Sequence, residues 1–390
     1  MPMELILLSL VLIVPLTCGL MAATPYLMPK RECFAVTVPE SAHNDPEIIA
    51  LKRRYVRQVL VVCVAATAVA SVAAFFAGRA IASPTASEGA EMGFVWALVF
   101  ATMVPVIVSF ALMLRARKSV MGIKRARGWS APRQETAAVV AEPDAPGAIS
   151  LWWSLLYVPV LLIVAAIGIV GYPSMPDMIP MHADFQGNVN GYSPKSPMVV
   201  GFPVFVDLFM IVCFVFSHWS IKRSKRPVQP GSPATSALAY GMFARAQSIF
   251  LLATGLLLCA VIGIVLMLSF VGLLSLGEAG GLVMLACVPV VVGSIALALV
   301  YGQAGSRLFK RLQAQGVQDG ASLESIPFDD DEHWKLGVFY FNADDASLFV
   351  PERFGIGWTL NFRLPAAWAF VAGLALLTLV FVGICFRAVS

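Results

Sequence analysis

The side chains best suited to chemistry lie in one short segment between two long apolar runs. Residues 172–195 read YPSMPDMIPMHADFQGNVNGYSPK. His182 and Asp184 are two residues apart, so in extended backbone both side chains point to the same side. Such a pair could hold a cation, shuttle a proton or bind a peptide, and it could equally be a hydrogen-bonded pair that keeps the shape of the loop. The candidate ligand-binding residues of the segment are Asp177, His182, Asp184, Asn188, Tyr192 and Lys195.

The backbone of this segment cannot form a regular helix, because Pro173, Pro176 and Pro180 interrupt it. Gly187 and Gly191 lie beside asparagines and allow tight turns. Met175, Met178, Met181 and Phe185 give the loop an apolar side, and we expect that side to dock on the ends of the neighbouring helices. One histidine with one carboxylate offers too few ligands for a metal ion, so we predict no metal site.

Asp207 is the only ionisable acid or base near the centre of an apolar run. An aspartate at the bilayer centre costs roughly 2.5–3.5 kcal/mol on insertion scales, so we expect Asp207 to face the helix bundle. Pro203 lies one turn earlier and frees a backbone carbonyl. Two interpretations stay open: a protonated carboxyl that donates to a neighbouring helix, or a proton relay.

A second motif, HWKLGVFYFNADDASLFVPERFGIGWTLNF, occupies residues 333–362. The β-like runs 338–341 and 347–350 flank an Asn-Ala-Asp-Asp turn, and a third run follows at 358–362, which predicts a small β-hairpin-like module. We expect its aromatic residues to form a belt at the membrane surface. The acidic run 329–332 lacks the spacing of an EF-hand, so we interpret it as a solvated linker. The candidate residues of the module are Trp334, Tyr340, Asn342, Arg353, Trp358 and Asn361.

Apolar helices must position both motifs. Hydrophobic residues make up 59% of the 390 residues and charged residues only 13%, and the mean hydropathy is +0.81. These values favour an all-α polytopic membrane protein over a soluble fold. Spans need about 20 mostly apolar residues, and eight such stretches are present. They cover residues 5–22, 58–78, 93–114, 152–171, 198–217, 248–270, 282–302 and 365–386.

The distribution of Lys and Arg predicts the orientation in the membrane. The segments 23–57, 115–150, 218–247 and 303–364 hold 24 of these residues, and the alternate segments hold only Arg79, Lys195 and Arg387. Basic residues concentrate on the cytoplasmic side, so both termini are predicted to be extracytoplasmic in a multi-pass cell-membrane protein. Glu4 and the absence of an early basic residue predict that the first apolar stretch stays as an anchor.

The same pattern divides the chain into regions. Residues 1–114 form a three-helix membrane region with a cytoplasmic loop at 23–57, where Asn44 or Asp45 caps a helix that begins near Pro46. A flexible cytoplasmic linker at 115–150 follows. The later regions are a helix pair at 151–217 with its external loop at 172–197, a helix pair at 248–302, the cytoplasmic module at 303–364, and the last helix with an external terminus at 365–390.

Several functional classes receive no support. Six of the seven cysteines fall inside spans and Cys33 is on the basic side, so we expect no disulfide framework. The sequence contains no motif for catalysis, phosphate cradles or dinucleotides, and its four histidines are scattered, so we predict neither an enzyme nor a cofactor. The net charge of +4 comes from loop ends that meet lipid headgroups, which does not indicate nucleic acid.

The pattern of Pro176-Asp177, Ile179-Pro180, His182, Gly187, Tyr192 and Lys195 resembles the domain of unknown function found in the SdpI family of bacterial integral membrane proteins. The namesake of that family gives immunity to a secreted toxic peptide and takes part in signalling. The segment 333–362 is similar to a second domain of unknown function that often accompanies the first. The resemblance implies an extracellular peptide as ligand and a cytoplasmic regulatory protein as partner.

Three functions remain after these observations. The first is a sensor or immunity protein that passes a signal across the lipid bilayer, as the resemblance implies. The second is a proton- or ion-coupled transporter of small solutes, which the in-span prolines and Asp207 favour. The third is a membrane scaffold without transport.

Overall fold

A computed structural model of the chain describes residues 3–29, 31–81, 88–130, 146–184, 187–226, 232–314, 329–354 and 357–389. Within these ranges, eight helices are long and apolar enough to cross a membrane, which confirms the predicted all-α polytopic class. The helices are α1 (Met3–Leu27), α2 (Pro46–Ile81), α3 (Glu88–Ala126), α4 (Tyr157–Gly171), α5 (Pro197–Arg223), α6 (Pro233–Val271), α7 (Leu276–Tyr301), the short α8 (Ser306–Ala314) and α9 (Pro365–Val389).

Three helices extend well beyond the apolar stretches that predicted them. Helix α2 begins at Pro46, ahead of the apolar stretch 58–78, as the predicted cap at Asn44 or Asp45 requires, whereas α3 continues to Ala126 instead of ending at 114 and α6 begins at Pro233 instead of 248. Polar residues prolong these helices outside the hydrocarbon, where hydropathy gives no signal. The first part of the predicted linker 115–150 is therefore helical, while residues 131–145 of that linker lie outside the described part of the chain.

The start of α2 follows the sequence prediction closely. Asp45 Oδ1 accepts a hydrogen bond of 2.8 Å from the backbone amide of Glu47, so Asp45 is the residue that caps the helix. Pro46 occupies the first turn, where its missing amide costs nothing.

The helices form two groups. Helices α1, α2 and α3 pack around a core that includes Val14, Val59 and Met113. Helices α4 to α7 form the second group, and α9 lies against α5, where the rings of Phe209 and Phe381 stack 4.0 Å apart. Within the first group Cys18 of α1 is paired with Cys63 of α2 in a disulfide, with Cα atoms 5.7 Å apart. The sequence predicted no disulfide framework and did not reveal this pair, because span residues distant in sequence meet across a helix interface.

Short antiparallel strand pairs cover both ends of the bundle. We call the end that carries most Lys and Arg the basic end, and the other the opposite end. Three pairs lie at the basic end: β1 (Glu32–Cys33) with β2 (Val36–Thr37), β5 (Trp334–Lys335) with β6 (Phe339–Tyr340), and β7 (Phe349–Pro351) with β8 (Trp358–Leu360). The pair β3 (Met178–Ala183) with β4 (Val189–Pro194) lies at the opposite end.

The strand pairing of the module differs from the prediction. The run that contains β6 was expected to pair across the Asn-Ala-Asp-Asp turn with the run that contains β7. Instead β6 pairs with β5, and β7 pairs with β8. A parallel bridge between Tyr340 and Asn361 joins the two hairpins. The turn residues 342–345 are thus a connection between hairpins, whose shape depends on Asn361.

Candidate functional site

The loop between α4 and α5 forms a β-hairpin, which the sequence did not predict. Its strands β3 and β4 run antiparallel with register shifts around His182. Gly187 has a φ of +87°, as the tight turn requires, and its amide donates to the Asp184 carbonyl at 2.9 Å. Gly191 lies opposite His182, where a Cβ atom would come within 2.9 Å of the histidine Cβ. Glycine at these two positions lets the strands approach despite the prolines.

Cross-strand contacts fix the polar side chains of the hairpin. His182 Nδ1 lies 2.5 Å from Asn190 Oδ1, so the imidazole donates to the amide oxygen. The Asp184 carboxylate accepts from the Asn188 backbone amide at 2.8 Å and from the Asn188 side chain at 3.1 Å. His182 and Asp184 are therefore held separately, each by its own asparagine, and the expected His182–Asp184 pair does not form.

One face of the hairpin points away from the helices. His182, Asn188, Asn190 and Tyr192 are exposed on this face, and Asp177 is exposed nearby. Lys195 turns back instead: its ammonium donates to the Met175 carbonyl at 3.0 Å and lies 4.7 Å from the centroid of the Tyr172 ring. Five of the six predicted loop residues are thus available at the surface or its rim, whereas Lys195 holds the base of the hairpin.

The other face of the hairpin packs on the helix ends, as predicted for Met175 and Met181, whereas Met178, which was expected on the same side, is 50% exposed. Ile179 is fully buried and Met175 nearly so, in a cluster with Val199 at the start of α5 and with Met267 and Phe270 at the end of α6. Phe185 lies outside the described residues. The hairpin is therefore seated directly on α5 and α6.

Below the hairpin, Asp207 of α5 faces the interior of the bundle, as predicted. It is completely buried, and neither carboxylate oxygen has a hydrogen-bond partner among the described residues. One of the two open interpretations, a carboxyl that donates to a neighbouring helix, therefore finds no such hydrogen bond among the described contacts. Gly263 of α6 lies against the carboxyl group, and a Cβ at that position would approach Asp207 Cγ to 2.6 Å. The glycine creates the space that the carboxyl occupies.

At the basic end, α5 enters the module through direct contacts. The backbone of Ser224 bridges to Phe349, and the amide of Lys225 donates to the Phe349 carbonyl at 2.8 Å. The Lys225 ammonium lies 2.5 Å from the Asp345 carboxylate. Asp345 also accepts a 3.0 Å hydrogen bond from the Tyr340 hydroxyl. The end of α5 is therefore fixed to the centre of the module.

Asn361 organises the connection between the two hairpins of the module. This residue is fully buried, and its side-chain amide donates to the carbonyls of Asn342 at 2.7 Å and Asp345 at 2.8 Å. Its oxygen accepts from the Asn342 amide at 3.0 Å. Asn342 in turn donates to the Tyr340 hydroxyl at 3.1 Å. These residues close a local network that fixes the position of Asp345.

Arg353 joins the module to the first helix group. Its guanidinium is 4% exposed and forms ion pairs with Asp330 and Asp331. Asp331 also accepts from the amide and the hydroxyl of Thr37, each at 3.0 Å, and lies 2.6 Å from the ammonium of Lys124 on α3. The acidic run was interpreted as a solvated linker, but Asp329, Asp330 and Asp331 belong to this network and only Glu332 is exposed. The local sequence could not reveal this, because Thr37 and Lys124 are more than 200 residues away.

The aromatic residues of the module serve its core. Trp334 and Tyr340 are 4% and 1% exposed, and Trp334 packs against the Arg353 guanidinium and donates to Asp330 at 3.2 Å. Trp358 is half-buried and lies 5.9 Å from the Phe243 ring of α6. The predicted interfacial belt was wrong for Trp334 and Tyr340, because these rings fill the interior of the module.

Burial and ion pairing shift the acidity of the module's carboxyls in opposite directions. Burial alone would raise the pKa of Asp331, but Arg353, Lys124 and the Thr37 amide outweigh it and hold the pKa below its ordinary value. Burial lowers the pKa of Arg353, but the carboxylates of Asp330, Glu32 and Asp331 raise it by more. The pKa therefore lies above its ordinary value. Glu352 has no such cation beside it in the described part of the chain, and burial raises its pKa to about 7.

Gln303 is a further contact that the sequence analysis missed. It lies at the corner between α7 and α8, is 1% exposed, and donates to the carbonyls of Glu352 at 3.1 Å and Gly357 at 2.9 Å. Its side-chain oxygen accepts from the Gly357 amide at 3.0 Å. No local signal marks this glutamine, since its partners Glu352 and Gly357 lie 49 and 54 residues further along the chain.

Comparison with known families places two of these regions. Residues 159–206, which span α4, the hairpin and the first part of α5, match a domain of unknown function, DUF1648. Residues 343–368, which include β7, β8 and Asn361, match a family of unknown function, DUF5808. No curated protein and no solved structure matches the chain. The chain is thus an integral membrane protein that carries two regions similar to families of unknown function.

Proposed function

We propose that the protein is a membrane sensor or immunity protein: its hairpin meets an extracellular peptide, and its module at the basic end holds a cytoplasmic regulatory partner. The single observation that carries this proposal is the course of α5. This helix begins under the hairpin, where Val199 packs with Ile179, and ends in the module, where Lys225 pairs with Asp345. A peptide that displaces the hairpin therefore acts on a helix whose other end is fixed in the module.

The chemistry of the exposed face supports a cationic amphipathic peptide. Met178 and Tyr192 are 50% and 53% exposed and offer apolar area. Asp177 and Asp184 add carboxylates, and Glu278 at the start of α7 lies next to Gly277, which contacts the hairpin turn at Gly187. Acidic groups around exposed apolar side chains suit a ligand with both positive charge and an apolar face. The resemblance to the SdpI family supports a peptide as the ligand.

The proposal is tested with purified protein in phosphatidylcholine nanodiscs and a panel of synthetic cationic amphipathic peptides. Hydrogen–deuterium exchange is measured in residues 178–194 and 334–361. We expect at least one peptide to slow exchange in the hairpin and to change exchange in the module, because α5 links the two regions.

Two matched substitutions sharpen this experiment. Tyr192→Ser should weaken both effects of the peptide, whereas Leu273→Ser, at a 73% exposed apolar residue of the same end, should leave them in place. A panel in which no peptide slows hairpin exchange would overturn the ligand assignment. Protection of the hairpin with unchanged exchange in the module would overturn signalling through α5.

The orientation required by the proposal has its own experiment. Single cysteines at Ser130 and Asn190, which are both exposed, are placed in a chain whose other cysteines are replaced. On intact cells an impermeant reagent should label position 190 and not position 130. Labelling at 130 from outside would contradict the cytoplasmic placement of the basic end.

A second candidate, a proton- or ion-coupled transporter, is favoured by the buried carboxyl of Asp207, which has no hydrogen-bond partner among the described residues. Intramembrane carboxyls that face a bundle often carry protons. Under this alternative, vesicles that contain the protein and a pH-sensitive dye show proton flux, and Asp207→Asn abolishes it. Equal flux in protein-free vesicles and in vesicles with the native protein would eliminate this candidate.

A further inference from the structure

A polar cavity of about 390 Å³ opens at the basic end, away from the hairpin and outside the Arg353 network. It lies between the end of α1, the 3-10 turn Glu40–Asn44, the first turns of α2, and α8. The side chains that matter for its chemistry are Tyr26, Glu40, Ser41, His43, Lys52 and Lys310. Neither matched family region includes any of them.

Lys52 is the unusual group of this cavity. It is only 7% exposed, its ammonium lies 2.6 Å from His43 Nδ1, and the centroid of the Tyr26 ring is 5.7 Å away. Within the described part of the chain, no carboxylate forms an ion pair with Lys52. Burial of an ammonium is costly unless an anion compensates its charge, so the contacts present account only partly for its burial.

The remaining wall of the cavity adds positive charge and hydrogen-bond donors. Lys310 of α8 brings a second ammonium to the wall, and Glu40 is the carboxylate among the described lining residues; both side chains also have contacts of their own. Ser41 and Asn44 contribute a hydroxyl and an amide at the mouth. Two ammonium groups with neutral donors are the usual recognition chemistry for a phosphate group.

We propose that this cavity binds the phosphate group of an anionic ligand, either a phospholipid headgroup or a soluble phosphate ester. Tyr26 is 49% exposed near the end of an apolar helix, the position of side chains at a membrane surface, so a headgroup can reach the mouth. The phosphate lies against Lys52 and Lys310 and supplies the negative charge that the buried ammonium lacks. The site is separate from the peptide-sensing proposal and does not depend on it.

The test compares thermal unfolding of the full chain in three environments: phosphatidylcholine nanodiscs, the same nanodiscs with phosphatidylglycerol, and phosphatidylcholine nanodiscs with added glycerol 1-phosphate. We expect at least one phosphate-bearing probe to raise the Tm in a concentration-dependent way. Stabilisation by phosphatidylglycerol alone assigns a headgroup, and stabilisation by glycerol 1-phosphate assigns a soluble ester.

Three charge-matched variants decide whether the cavity is responsible. Lys52→Gln and Lys310→Gln should each weaken the apparent affinity for the active probe by about tenfold, as expected when one charge-assisted contact is lost. Lys222→Gln, at an exposed lysine of the same end, should leave the affinity unchanged. If Lys52→Gln does not fold, Lys310→Gln decides the outcome. No stabilisation by either probe, or equal losses in the Lys222 variant and the cavity variants, would overturn the proposal.

Discussion

Asp207 is completely buried and the Asp331 side chain is only 9% exposed, yet the surroundings of the two carboxyls are opposite. Asp331 receives hydrogen bonds from Thr37 and forms ion pairs with Lys124 and Arg353. Asp207 has no polar partner among the described residues and contacts the small surface of Gly263. A carboxylate held by three partners connects parts of the fold. A buried carboxyl with no partner is stable only if it is neutral or meets a transient partner. The helix bundle and the module therefore use an aspartate side chain for different purposes.

The largest effect is expected when Arg353, whose charge compensates Asp330 and Asp331, is removed. Arg353→Met leaves Asp330 and Asp331 buried beside each other without their arginine. We expect a loss of about 3–5 kcal/mol, the usual cost of breaking a buried pair from one side. Hydrogen exchange should rise across residues 331–361 in the variant.

The control for this variant is Arg363→Met, at an exposed arginine of the same module. It should leave the exchange pattern unchanged. Equal exchange in the two variants would mean that the network around Asp331 is not what holds the module to the first helix group.

The next effect tests the packing around Asp207. Gly263→Ala places a methyl group where the carboxyl lies, and overpacking of this kind costs about 1–3 kcal/mol. The loss should show as a lower Tm in nanodiscs. Gly201→Ala, a change on α5 with no neighbouring atom within 4 Å, should show no such loss.

A double variant identifies the source of that loss. Asp207→Ala combined with Gly263→Ala removes the group that clashes, so the Tm should recover most of the way. Additive losses instead of recovery would place the clash elsewhere on the helix.

A smaller effect concerns pH. The pKa of Glu352 is about 7, raised from its ordinary value of 4.5, so the folded module favours the protonated form. Both states are protonated below about pH 4.5, and the wild-type protein loses stability as the pH rises from there through 7. Glu352→Gln should therefore be more stable than wild type at pH 8 by about 1 kcal/mol and equal to it at pH 4.

Glu332→Gln is the matched control for the pH experiment, since its side chain is 75% exposed. It should show no gain at pH 8. A gain of similar size in both variants would indicate a general effect of net charge instead of the burial of Glu352.

The smallest effect is expected for Asp207→Asn. The amide keeps the volume and adds no charge, so the free energy of unfolding at pH 7 should change by no more than a surface substitution would change it, about 0.5 kcal/mol. The Tm should therefore stay close to that of the wild type. A gain of more than about 2 kcal/mol would show that the native carboxyl is ionised in the bundle, since a neutral isostere would then relieve a buried charge.

The sequence predicted those features that depend on neighbours along the chain. Hydropathy found the eight spans, local capping chemistry found Asp45, and the cost of a charge in hydrocarbon predicted that Asp207 faces inward. Features that depend on distant partners were missed. Arg353 meets Thr37 across 316 positions, and Cys18 meets Cys63 across 45, and neither distance leaves a local pattern.

The hairpin at the opposite end was missed for a different reason. Prolines normally argue against strands, and three of them occur in residues 172–180. Pro180 is tolerated in β3 because a two-stranded hairpin consists only of edge strands, in which an unpaired amide position can face outward. The identity of the ligand is beyond the sequence as well, since exposed side chains such as Tyr192 constrain charge and polarity and not a particular partner.

The contact between Thr37 and Asp331 also sets an order of events during synthesis. The two residues are 294 positions apart, so the strand pair β1–β2 emerges long before the carboxylate that its amide requires. At about 5–20 residues per second the ribosome needs roughly 15–60 s to supply it. Until Asp331 is made, the Thr37 amide and the Lys124 ammonium at the basic end lack this carboxylate. During this interval these groups of the nascent chain are accessible to other proteins. They become covered once residues 329–354 leave the ribosome and pack against them.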